Sequence, residues 1–333
     1  MVSHSRPGDL PPSGPRTRAG WRSWRSAWLD AAYGPGGFWS TQQPGDHFTT
    51  GVGAGPLVAR AVAGLEAVGG SATTVVDVGA GDGRLLAALA DLRPDLALVG
   101  IDRRPRPAGL DARVGWAEDH WDVEAGRWVG GGPQDWLPEG VPLVLAHEWL
   151  DDLPVPVVEH DSGTWYAVEV DDAGRERRGP AVGGDERAWL ATWWDEGRRA
   201  EVGRSRDVAW AALVRTAVDR GGRALAVDYG HRAHERPPAG TFAAYGRGRG
   251  RTPTPDGSVN LTAGVAVDAL VAAGEAAGAT TLLLERQADV LSHVPPEEPT
   301  DPLTALVRRS ERAALTSPGR WGDLWWLLQG SPA

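Results

Sequence analysis

Asp77 closes a β-branched run, Thr74-Val-Val-Asp-Val78, and three glycines follow it at alternate positions, Gly79, Gly81 and Gly83. A Leu/Ala series with helical potential comes next. Strand, glycine turn and helix N-terminus in that order make a crevice for a nucleotide-type ligand. Glycines there let the backbone approach a ligand and adopt torsions that side chains resist. The helix N-terminus offers unpaired N–H groups to a carboxylate. Asp77 is placed to take the ammonium of the same amino-acid moiety, directly or through water. A dinucleotide site prefers Gly-x-Gly-x-x-Gly, and its third glycine would fall at Arg84. The spacing therefore points to S-adenosylmethionine as cofactor rather than NAD.

Further acids fall at the ends of later apolar runs. Asp102 ends the second, where a carboxylate accepts hydrogen bonds from ribose hydroxyls; a solvated acid beside Arg103 and Arg104 is the plainer alternative. Asp119, in Ala117-Glu-Asp119, is a candidate acceptor for an adenine amino group, with Trp116 or Trp121 on the ring. His147-Glu-Trp-Leu-Asp-Asp-Leu-Pro154 follows the fourth run, on the methyl side of such a site. There Glu148 and Asp151 form a carboxylate pair able to hold a cationic acceptor by charge-assisted hydrogen bonds. The pair could also help a guanidinium lose its proton. Helix capping by Asp151 or Asp152 is the structural alternative.

These candidates need strands that end side by side. Apolar runs at 74–78, 96–101, 112–116 and 141–146 alternate with helical segments, which predicts an α/β, doubly wound, Rossmann-like sheet. Helices are expected over 21–33 and 56–68. A hairpin is expected over 155–160 and 164–170, a polar loop over 171–185, and helices over 186–199 and 206–220. A strand over 223–228 leads into an irregular stretch, 232–261. A helix over 265–277, strands over 280–285 and 324–328, and a helix ending near 315 complete the pattern. The domain reading is a disordered tail over 1–20, N-terminal helices and a Gly-Asp loop over 21–70, and a methyltransferase-type domain over 71–333. That domain carries an insertion over about 155–220 and the long loop 232–261.

Composition narrows the partners. The net charge is −10, which argues against a general nucleic-acid binder but suits a basic protein or peptide substrate. The basic repeat over 245–251 is therefore taken as a mobile substrate-side loop. With no cysteine there is no thiol chemistry, and the eight histidines lack metal-ligand spacing, so no metal is expected. No apolar run approaches the ~20 residues that cross a bilayer. The Arg/Pro-rich N-terminus has no secretory h-region, and a cytoplasmic location is expected.

Taken together, the motifs resemble the MidA-like S-adenosylmethionine methyltransferases, which include the mitochondrial complex I assembly factor 7 group. Asp77-Val-Gly-Ala-Gly-Asp-Gly-Arg-Leu85 is similar to that family's Glu-x-Gly-x-Gly-x-Gly-x-Leu, and Gly45-Asp-His-Phe-Thr-Thr50 to Gly-Asp-Phe-x-Thr-Ser. Residues 147–155 resemble Asn-Glu-Phe-Phe-Asp-Ala-Leu-Pro-Val. Asp228-Tyr-Gly230 matches Asp-Tyr-Gly, Gly240-Thr-Phe-Ala-Ala-Tyr245 resembles Gly-Thr-Leu-Arg-Ala-Tyr, and Asn260-Leu-Thr-Ala263 resembles Asp-Leu-Thr-Ala. The resemblance runs over about 36–328. It implies a class I methyltransferase fold with added substrate elements, and cofactor contacts at Asp46, Asp77, Gly79, Gly81, Gly83, Asp102, Asp119 and His147. It also implies an arginine acceptor at Glu148 and Asp151, in a protein such as a respiratory complex subunit. The chain departs from the pattern at His147 for Asn, Asn260 for Asp, Gly264 for His, and Gly51-Val52 for Pro-Glu. A small-molecule methyltransferase and a silent assembly factor stay open as rivals.

Overall fold

The computed structural model describes residues 20–42, 51–69, 72–194, 196–297 and 301–331. The expected tail, residue 20 apart, and the Gly45–Thr50 segment with Asp46 lie outside the described residues. The first helix, α1 (Trp24–Tyr33), is capped by Ser23, whose hydroxyl accepts from the Ser26 N–H. It buries Trp24, Ala27, Trp28 and Ala31, a stripe at helical spacing. Helix α2 (Leu57–Gly69) leads to β1 (Thr74–Val78), in which every residue is buried. Then follow α3 (Arg84–Leu92), β2 (Ala97–Asp102), β3 (Val114–Glu118) and β4 (Pro142–His147).

A second unit follows: β5 (Val157–Asp161), β6 (Thr164–Val170), β7 (Glu176–Ala181), α4 (Gly184–Trp193), β8 (Arg199–Glu201) and α5 (Arg204–Val218). The chain then returns through β9 (Arg223–Asp228). After it come β10 (Ala243–Gly246), β11 (Arg249–Arg251), β12 (Asn260–Thr262) and α6 (Val267–Ala276). The last elements used below are β13 (Thr280–Arg286), α7 (Pro302–Thr316) and β14 (Trp325–Gly330).

Seven strands form the central sheet in the order β13-β14-β9-β4-β1-β2-β3. Strands β3, β2, β1, β4 and β9 run parallel, and β14 is antiparallel to both β9 and β13. Alternation of side chains along the strands splits the core. Val75, Leu143, Leu145, Leu225 and Val227 pack with α2 and α3 on one face. Val76, Val78, Val144, Ala146 and Ala226 pack with α5 on the other. The strand order reverses between β1 and β4, so a crevice opens at their carboxyl ends.

Four stretches differ from expectation. Residues 171–185 hold β7, a polar strand paired to β6. Its support is ionic, from Arg177 to Glu169 and from Arg178 to Glu159 and Asp161, so no apolar alternation marks it. The helix expected over 186–199 stops at Trp193 and gives way to β8. The 232–261 stretch carries β10, β11 and β12, a three-stranded sheet in the order β11-β10-β12. Its strands are short and glycine-interrupted, and the β10–β12 pairing spans a long loop, so local periodicity does not reveal it. The following helix begins two residues late, because Val265–Ala266 pairs with Gly230–His231.

Candidate active site

A cleft of about 970 Å³ runs along the carboxyl ends of β1, β2, β4 and β9. Its floor is the glycine turn. Gly79, Gly81 and Gly83 all have left-handed backbone, with φ of 71, 64 and 75°. A Cβ on Gly79 would stand 2.5 Å from Trp149 Cδ1, and one on Gly83 would stand 2.6 Å from Leu110 Cδ1. At Gly81 the nearest atom to such a Cβ is 3.9 Å away, which leaves open space above the turn.

Asp77 lies beneath this turn, buried, and its carboxylate accepts no hydrogen bond among the described residues. Burial, helped by the Asp102 charge, raises its pKa to about 8. Asp102 accepts from the Gly81 N–H at 2.9 Å and from the Arg104 N–H and Nε at 2.9 and 3.1 Å. That tie fixes the turn against β2. Asp119 also lines the cleft, but its carboxylate is taken up by the N–H groups of His120, Gly130 and Gly132. Trp121, Trp128 and Trp149 form the adjoining wall, the last two stacked at 6.0 Å and 3°. Trp116 instead lies over Gly100 and donates to the Arg104 carbonyl, outside the cleft lining.

At the far end the β4 strand runs into His147 and Glu148. His147 is buried, its Nε2 has no partner, and burial lowers its pKa to about 4. It is therefore neutral at pH 7. Glu148 is held in left-handed backbone, φ 49°, by an N–H bond to the Val227 carbonyl. Non-glycine residues seldom adopt this conformation, and its persistence needs surrounding support. The Glu148 carboxylate accepts from the Gly51 N–H at 2.8 Å. Burial raises its pKa to about 8 against that hydrogen bond, and the Asp151 charge adds to the rise.

Asp151 Oδ2 accepts from Thr262 Oγ1 at 2.7 Å, while its Oδ1 is buried without a donor and its carboxyl lies beside that of Asp228. Neighbouring Asp152 Oδ1 accepts from Asn260 Nδ2 at 2.9 Å, and Asn260 Oδ1 is likewise buried and unpartnered. Asp228 accepts from the N–H groups of Leu150, Asp151 and Tyr229, so it caps the Leu150–Asp151 corner. Burial pushes Asp151, Asp152 and Asp228 above the ordinary carboxylate range. Asp151 is thus neither bare nor a simple helix cap.

Arg206 is the residue that sequence alone does not mark. It lies buried on α5, far along the chain. Its guanidinium donates to the carbonyls of Asp151 (2.6 Å), Leu153 (2.9 Å), Ala263 (2.7 Å) and Gly264 (3.3 Å). Its positive charge also holds Asp151 and Asp152 below where burial alone would put them. Trp128 is likewise unmarked, whereas Trp149 could have been found inside the Glu148 motif.

The residues fit S-adenosylmethionine. The glycine turn leaves its backbone open where an amino-acid moiety would lie, and Asp77 offers it an unpartnered carboxylate. A sheet of this order, with acids closing its first two strands beside a glycine turn, defines a class I S-adenosylmethionine-dependent methyltransferase. The sequence pattern of a family described as "Putative S-adenosyl-L-methionine-dependent methyltransferase" matches residues 103–284. The chain belongs to that family, the MidA-like group that its motifs resemble.

Two solved structures from Burkholderia thailandensis resemble the whole chain. One is titled a "COG1565 superfamily member and likely methyl transferase" bound to S-adenosyl-homocysteine. It is 25% identical, with a TM-score of 0.73 over 93% of this chain and 88% of that one. The other, titled an uncharacterized COG1565 superfamily protein, is 27% identical, with a TM-score of 0.72 over 94% and 88%. No curated protein sequence matches significantly. No described helix is long and apolar enough to cross a membrane.

Proposed function

We propose that this methyltransferase acts on a cationic nitrogen, an arginine side chain of a protein. Supporting this is the pair of buried acceptor atoms without a donor, Asp151 Oδ1 and Asn260 Oδ1, in a cleft end that also holds Glu148 and Asp152. Acceptors without donors cost free energy in a buried site, and a donor-rich planar cation would satisfy them. When bound, S-adenosylmethionine supplies an activated methyl group. Asp77 and the glycine turn would hold its amino-acid end and Asp102 its ribose. Asp119 would order the loop beside the adenosine rather than contact it alone, since three backbone donors occupy it. Asp46 keeps its assignment from the resemblance only.

Glu148 and Asp151 would orient the acceptor. An arriving cation lowers the pKa of both carboxylates, so Glu148, raised to about 8 in the empty site, ionises as it binds. A carboxylate poised near neutrality then suits uptake of the proton that the acceptor nitrogen releases. His147, neutral, can hydrogen-bond without repelling a cation. The resemblance points to a respiratory complex subunit as a candidate partner, and a cytoplasmic location is proposed with it.

The test is transfer of labelled methyl from S-adenosylmethionine into protein of a deletion strain. Methylarginine is the expected product. E148Q should cut transfer at least about 100-fold while cofactor binding, read by calorimetry, stays within about threefold. Label found only in small metabolites would overturn the protein acceptor. Binding without any transfer would favour a silent assembly factor.

A further inference from the structure

The Arg-Gly repeat expected as a mobile loop is an ordered hairpin. Strands β10 and β11 are joined by Arg247 and Gly248, both in left-handed backbone with φ of 53 and 70°. Two such residues make the tight turn whose twist matches paired strands. Arg247, Arg249 and Arg251 are all exposed. None of the three forms an ion pair among the described residues. Arg175, Arg177 and Arg178, on the neighbouring sheet, each pair with an acid. In a chain of net charge −10 they form an exposed cluster of like charge, in which Arg251 Nε donates to the Gly246 carbonyl at 3.3 Å.

Their position gives them a use. The sheet order is β11-β10-β12, and β12 carries Asn260 and Thr262, which bond Asp152 and Asp151 in the cleft. In register, Asn260 faces Tyr245, and Tyr245 faces Gly250. Two strand spacings, about 10 Å, therefore separate the acidic end of the cleft from the basic edge strand. Tyr245 lines the cleft, and a Cβ on Gly248 or Gly250 would meet nothing within 4 Å. The way out of the cleft over the sheet is open. Arg249 and Arg251 alternate with Gly250, so they leave from the opposite face of the outermost strand, beside its unpaired edge.

We propose that the β10–β11 hairpin docks an acidic stretch of the acceptor polypeptide. At about 3.3 Å per extended residue, that stretch lies about three to five residues from the side chain in the cleft. The site then reads a dipolar sequence, a cation with acids a few residues away. This rests on the reading of the acceptor as a protein. The attraction is a steering field as much as a contact, so it weakens with salt.

The probes are two fluorescein-labelled peptides, each with one arginine followed four residues later by four glutamates or four glutamines, and an oligouridylate. Anisotropy is read with the full chain in the presence of S-adenosylhomocysteine. The glutamate peptide should bind at least about tenfold tighter than the glutamine peptide at low salt, and lose that margin at high salt. Reversal of Arg247, Arg249 and Arg251 to Glu should erase the margin. Replacement of the three by Gln should reduce it, and serves if the reversed protein folds poorly. Equal binding of both peptides, or a margin that survives in the variants, overturns the proposal. So does tighter binding of the oligouridylate with the same arginine dependence. Calorimetry with S-adenosylmethionine and methyl transfer into the peptide's arginine are read on the same preparations. A chain that docks the acidic peptide through these arginines but methylates no arginine loses the acceptor reading and keeps the docking surface.

Discussion

Asn260 donates to Asp152 Oδ1 at 2.9 Å between buried side chains 108 residues apart. Both positions depart from the pattern that the motifs resemble, which has Ala at the first and Asp at the second. The two departures touch each other. One carboxylate is kept at the contact, carried by the other loop, so Asn260 alone is not a lost acid.

The exchange predicts coupling. D152A leaves the Asn260 amide buried without its acceptor, at a cost of about 1–3 kcal/mol. N260D sets two carboxylates in contact, which destabilises more at pH 8 than at pH 5. The double variant D152A/N260D should lose less than the sum of the two, by about 1–2 kcal/mol. Urea unfolding of the four proteins measures it, and strict additivity would refute the compensation.

Stability of the ligand-free protein should rise as pH falls from about 8 to 6.5. Asp77 and Glu148 have folded pKa values raised to about 8, so their stabilising share is full below the unfolded values and lost as pH rises toward 8. Buried His147, lowered to about 4, acts oppositely, and its share begins to fade only as pH drops below its unfolded value. Between pH 6.5 and 8 the carboxylates therefore dominate, each on the order of 1–2 kcal/mol. E148Q should flatten the slope of melting temperature against pH over that window. An unchanged slope would refute the assignment to Glu148.

Cofactor affinity should depend on how the turn is tied. D102A removes the acceptor that holds the Gly81 N–H and the proposed ribose contact, raising the Kd for S-adenosylmethionine about 10- to 100-fold. G79A combines left-handed backbone with a Cβ 2.5 Å from Trp149, and should lose binding to a similar degree. Titration calorimetry checks both. Wild-type affinity in either variant would remove the turn from the cofactor site.

Arg206 should be a positioning residue for the acceptor end. R206M leaves several carbonyls of the 151–153 and 263–264 segments short of a donor, at about 3–5 kcal/mol. It also removes the charge that holds Asp151 down, so the pH dependence between 6.5 and 8 should steepen. R206K, with one compact ammonium, should recover the pH profile more than the stability. Loss of stability with an unshifted profile would leave Arg206 as scaffold only.

Much of the central sheet, and part of the second, is legible in local pattern. The β9 expectation matches Arg223–Asp228, and β6 matches Thr164–Val170, because buried or alternating strands bounded by turns announce themselves within a few residues. The β7 strand and the β10–β12 sheet are not legible. Ion pairs hold the first, and the second joins strands through a long connection, so neither leaves an apolar period behind.

The sequence by itself determined the glycine turn and the acids that close successive strands. Left-handed backbone at Gly79, Gly81 and Gly83 is a local requirement, and strand ends follow from local hydrophobic runs. Only the tertiary structure decided which acids share the acceptor end and in what state. Asp151 meets Thr262, Asp152 meets Asn260, and Arg206 spans both loops. Protonation depends on burial and on charges brought in by remote segments, and no spacing along the chain encodes those distances.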